Sequence, residues 1–203
     1  MASKNSQDGI SLVQTAEGAM QTAHNIMQRM RELAVQSRNG TNDDSVDRNA
    51  LDLEFTQLKA EIGQISSTVK FNDMEVFGKT FTIQSGANSS DTTVFNISTL
   101  VQPSGDIANE GNAAQAISNL SDNINSLSTN RATLGAIQNR LEFKIQNLDN
   151  SAENLAAAES RIRDVDMAKM MTEFTKNNIL FQASTAMLAQ ANSQPQSVLQ
   201  LLG

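Results

Sequence analysis

The chain has 203 residues, enough for one domain or two small ones with a real core. Cysteine is absent and His24 is the only histidine, which excludes disulfides, thiolate or His-cluster metal sites and Cys nucleophiles. A net charge of −7 argues against a nucleic-acid partner, whose electrostatic footprint would be basic.

The first residues, Met1 to Asp8, lack the apolar stretch of a secretory signal. Residues 10–36 then carry a seven-residue period. Leu12, Ala19, Ile26 and Leu33 form one row and Val13, Met20, Met27 and Ala34 the next, with Ala16, Ala23 and Met30 between them. Gln14, Gln21 and Gln28 form the polar back. The pattern predicts a helix of about 40 Å packed on other helices. Gly40 is the expected left-handed cap at its end. A second helix is expected from near Asn42 to Ser45, with Asp43, Asp44 and Asp47 at its positive N-terminal end. Its apolar rows are Leu51, Leu58 and Ile65, and Phe55, Ile62 and Val69.

The period then changes. Residues 80–84 and 93–97 alternate, separated by Ser85 to Ser90, which predicts a β-hairpin or a small sheet that includes Val76 and Phe77. From about Asn112 the heptad returns. Leu120, Leu127, Leu134, Leu141, Leu148 and Leu155 stand seven apart and are the expected core row of a long coiled-coil helix. The last segment differs again, because residues 177–203 contain no charged side chain. That stretch is too polar to span a membrane and too apolar to stand alone in water, so no membrane partner is expected and a partner helix is.

Candidate chemistry is thin. Asp43, Asp44 and Asp47 lack the Gly at the sixth position and ligand spacing of an EF-hand loop and read as helix-start carboxylates. Neither a nucleophile elbow nor a phosphate-binding loop is present. The residues imply neither an enzyme nor a cofactor.

Five stretches, taken together, resemble bacterial flagellin: Met1 to Leu12, Gln28 to Ser37, and, most specifically, Leu134 to Glu142, Ala157 to Ala168 and Gln182 to Leu202. The resemblance implies a mainly α fold: an elongated coiled-coil helical bundle, the rod domain, with a small β-hairpin region and a C-terminal helix. The rod is expected over 1–160, with helices at about 1–38, 44–68 and 111–160 and a hairpin region at about 70–102; a C-terminal segment follows at 161–203. Flagellins carry a further N-terminal stretch and large outer domains, so the sequence reads as a short flagellin that starts inside the family's N-terminal helix.

The resemblance also implies function: a structural subunit that assembles with other flagellin subunits into the extracellular filament, after a transient cytoplasmic stage and unfolded export through the flagellar type III pathway. An export chaperone is the implied partner of the C-terminal segment, with Phe174, Ile179, Leu180, Met187, Leu188, Val198 and Leu201 as anchors. Uncovered, that segment is expected to fray. Arg29, Leu33 and Glu54 look like the positions flagellins present to a vertebrate innate immune receptor. The competing expectation is a secreted coiled-coil binding module that never polymerises, such as a hook-associated or adhesion protein.

Overall fold

The computed structural model describes residues 1–43, 45–163 and 167–202, with 194–202 as backbone alone. Asp44, Asp164, Val165 and Asp166 lie outside the described residues, as do the side chains of Val198 and Leu201. The chain divides into two compact units, Met1–Ser151 and Ala152–Gly203. The division falls nine residues before the expected 160/161 boundary.

In the first unit α1 (Ala2–Ser37) supplies the central seam. Gly9, Val13, Ala16, Met20, Ala23, Met27, Met30, Ala34 and Ser37 are all buried, alternating four and three residues apart. That alternation keeps one stripe facing its partners over the whole helix. Ala19 and Ile26 flank the stripe half-buried. α2 (Asp47–Thr68) returns antiparallel and buries Phe55 and Ile62 completely.

The turn between these helices is not the one expected. Gly40 is not in the left-handed region, and α1 ends on Arg38 in an ordinary helical conformation. A side chain from α2 reaches the carbonyls there instead, although that of Asn39 also accepts from the Asn42 N–H at 3.1 Å. The Arg48 guanidinium, 5% exposed, donates from Nε to the Ser37 carbonyl at 2.7 Å and from Nη2 to the Asn39 carbonyl at 3.0 Å. A cation at a helix C-terminus satisfies orphan acceptors and opposes the negative dipole end in one stroke. The acidic run behaves differently as well, because α2 begins at Asp47, three residues later than expected, with no side-chain cap. Asp43 organises the preceding turn, accepting from the Ser45 hydroxyl and from the Ser45 and Val46 backbone N–H groups. Those bonds, the Ser45 hydroxyl first, hold its carboxyl below the ordinary aspartate value. What the turn gains from the ionised form is present above the ordinary range and fades as pH falls through the lowered value.

Two short hairpins follow. β1 (Lys70–Phe71) pairs with β2 (Met74–Glu75), and β3 (Lys79–Gln84) pairs with β4 (Thr92–Ile97), both antiparallel. The second hairpin is the expected one, with Phe81 opposite Phe95 and ring centroids 6.1 Å apart. Val76 and Phe77 join neither sheet; both are buried in the core. In the first hairpin Asn72 and Asp73 have φ of 49° and 64°, the pair of positive values a tight primed turn requires. Asp73→Gly, which removes the Cβ cost of that conformation, is expected to raise stability by about 0.5 kcal/mol, readable as a small rise in Tm.

α3 (Glu110–Arg163) closes the first unit, antiparallel to α1. Glu17 pairs with Arg131 at 3.5 Å, and a Cβ added to Gly9 would lie 3.3 Å from Leu141 and 3.2 Å from Ile83. Glycine at position 9 thus lets α1, α3 and β3 meet closely. Leu120, Leu127, Leu134 and Leu141 are buried, but the expected row does not continue. Leu148 is half-buried and Leu155 is 71% exposed. With Gly9 level with Leu141, an antiparallel register puts Leu148 level with Ala2.

The second unit holds the end of α3 and α4 (Met167–Leu202). α4 is continuously helical in the structure. Its residues are rich in Ala, Met, Leu and Gln, strong helix formers with little rotamer freedom to lose.

Candidate functional site

Among the described residues no three His, Asp or Glu side chains are grouped to hold a metal, and no helix is long and apolar enough to cross a membrane. What the molecule offers instead is surface of two kinds, one on each unit.

The first lies where α1 and α2 run side by side. Arg29 Nε donates to Glu54 at 2.9 Å across the two helices, and its Nη1 donates to Glu32 at 3.2 Å. The bond to Glu54, and then that to Glu32, raise the Arg29 guanidinium above its ordinary value. Leu33 does not share this surface. It is 1% exposed, because it sits on the core side of α1, next to the buried Ala34. The expected trio is therefore a surface pair and a core residue.

Side-chain hydrogen bonds, two of them to backbone, tie the unit together. Ser37 Oγ donates to the Ile107 carbonyl at 2.6 Å, and Asp52 accepts from the Ile107 N–H at 2.8 Å. Lys144 Nζ donates to the hydroxyls of Ser85 and Thr93 at 2.5 and 2.9 Å, fixing the β3–β4 hairpin to α3. Sequence reasoning found none of these, nor Arg48. A lone Ser, Lys or Arg between helices carries no periodic signal.

The second surface is α4. Met167, Met170, Met171, Phe174, Phe181 and Leu188 are 49–71% exposed, and at 100° per residue they fall within an arc of about 100°. Ile179, Leu180 and Met187 are 53–71% exposed and fall on the opposite side. A helix apolar on two sides belongs between partners, since water on either face is unfavourable. Phe181 was missed as an anchor, although it stands seven residues after Phe174 and seven before Leu188. The same spacing could have found it.

Comparison with known proteins identifies the family. The pattern of the bacterial flagellin N-terminal helical region matches residues 1–82, and that of the C-terminal helical region matches 117–202. A flagellin of Halalkalibacterium halodurans is 54% identical over 99% of this chain and 77% of the relative. A flagellar filament 31.3 kDa core protein of Treponema maltophilum is 43% identical over 99% of this chain and 78% of the relative. The crystal structure of Bacillus cereus flagellin superposes with a TM-score of 0.67 at 34% identity, covering 77% of this chain and 94% of that one. Matched at both ends and along nearly its whole length, the chain belongs to the bacterial flagellin family.

Proposed function

We propose that this chain is a structural subunit of the flagellar filament, working outside the cell in motility. The observation that carries the reading is α4: a helix apolar on two sides, with every described side chain from Met167 to Ser193 exposed. Such a helix gains from being packed among copies of itself and its neighbours, and the Treponema relative bears a filament name. Apolar burial at about 25 cal/mol per Å² makes each large side chain worth about 2 kcal/mol once covered, ample for ordered polymerisation over many residues. The family is structural, and the chain is not an enzyme. Electron microscopy of purified subunits after an assembly trial tests this. Long filaments of one diameter support it; subunits that stay dispersed under every assembling condition contradict it and favour a binding module.

The same exposed surface supports a finer reading. Before export through the flagellar type III pathway, α4 is an aggregation hazard, and a chaperone that buries Phe174, Ile179, Leu180, Met187 and Leu188 would remove it. Val198 and Leu201 extend the proposed anchor set beyond the described side chains. Apolar contacts must carry that affinity, because residues 177–203 hold no charge.

For recognition by a vertebrate innate immune receptor, the Arg29–Glu54 pair is the proposed contact and Leu33 is left out of it. Arg is a frequent interface anchor because its planar fork makes several directed bonds at once. Arg29→Ala is expected to cut receptor activation about tenfold while leaving the melting curve almost unmoved. Unchanged activation would remove Arg29 from the contact.

A further inference from the structure

The methionines of α1 and those of α4 differ in exposure. In α1, Met20, Met27 and Met30 are 1% exposed or less; in α4, Met167, Met170, Met171 and Met187 are 49–71% exposed. Leu or Ile would provide similar apolar area there without an oxidisable atom. Met167, Met170 and Met171 stand at i, i+3 and i+4, so three thioethers share one turn of the stripe that continues to Phe174. Cysteine, tryptophan and tyrosine are all absent from the sequence, so no more reactive side chain intercepts an oxidant first.

We propose that Met167, Met170, Met171 and Met187 form a sulfur-oxidation site through which peroxide controls the docking of α4. The proposal rests on the filament reading above, in which α4 is buried on assembly. A thioether lone pair attacks one oxygen of hydrogen peroxide. The O–O bond breaks, an S–O bond forms and, after proton transfer, water leaves; sulfur loses two electrons and peroxide gains them. The product turns an apolar, flexible side chain into a polar one. Its oxygen is a strong hydrogen-bond acceptor, and an apolar partner face offers it no donor. Burying it is unfavourable, so oxidised α4 docks weakly. Reductive repair by a methionine sulfoxide reductase restores the thioether and the docking.

The test treats purified subunits with hydrogen peroxide and follows each methionine by peptide mass mapping. Met167, Met170, Met171 and Met187 are expected to gain one oxygen at a rate close to that of Met74, which is 47% exposed on β2 and serves as the reference. Met20, Met27 and Met30 should lag at least tenfold. In assembled filaments the α4 methionines should become protected. Subunits oxidised beforehand should need about tenfold or more protein to assemble, with recovery after reductase treatment. Whatever protein concentration a variant carrying Met167→Leu, Met170→Leu, Met171→Leu and Met187→Leu needs for assembly, peroxide treatment should leave that concentration unchanged. Slow oxidation of α4 in free subunits, or oxidised subunits assembling as well as untreated ones, would overturn the proposal. Untreated subunits that never assemble would overturn the filament reading and the proposed control of docking with it, while the map of the free subunit still decides whether α4 is the oxidation site.

Discussion

Leu134→Asp is expected to unfold the first unit or bring it to the edge of unfolding. Leu134 is 2% exposed, in the row where Leu127 and Leu141 are also buried. The substitution removes a large apolar side chain and puts a carboxylate where no cation is bonded to receive it. Loss of the leucine alone costs about 2–5 kcal/mol, and burial of an uncompensated charge adds several more. A domain is typically stable by about 5–15 kcal/mol, so the sum consumes most or all of the margin. Leu155→Asp is the matching control. With Leu155 71% exposed, the same chemical change should leave the melting temperature nearly where it was. Thermal melting of the two variants side by side checks the pair of statements, and equal losses would contradict the end of the seam at Leu141.

Arg48→Ala carries the next largest expectation, a loss of about 3 kcal/mol measurable by urea unfolding. It removes the donor to the Ser37 carbonyl and one of the two to the Asn39 carbonyl, which also accepts from the Asn42 N–H, and hydrogen bonds to a charged group contribute about 1.5–3 kcal/mol each. Arg48→Lys should recover only part of the loss, because one ammonium lacks the planar fork that reaches both carbonyls. A variant as stable as the parent would show that Asn42, whose side chain donates to the Gln36 carbonyl at 2.6 Å, is sufficient to end the helix.

The periodic parts of this molecule are written plainly in the sequence. The rows of α1 and α3 and the alternation of the β3–β4 hairpin are each repeated several times, and repetition averages out exceptions. What a single residue does in a turn or at an element's end is not repeated and was not legible. Gly40 looked like the left-handed stop, and Arg48, eight residues later, does the stopping. Asp43 looked like a helix cap and shapes the turn before the helix. The leucine row shows a related limit: Leu148 and Leu155 keep the period, but a period does not say which of its members are covered. Leu33 shows the opposite limit. Similarity to the family suggested presentation on a surface, whereas its place in the heptad marked it as core, and the heptad agrees with its burial.

The reading of α4 as a helix that waits for its partners is tested most directly by hydrogen exchange across residues 167–193, measured on free subunits and again after assembly. Without packing, a helix keeps little of its protection, because tertiary contacts rather than propensity supply most of its stability. The account predicts fast exchange along α4 in the free chain, slow exchange in α1 around Met20 to Met30, and protection of α4 that appears only when it is covered. Strong protection of residues 167–193 in the free, monomeric chain would contradict it.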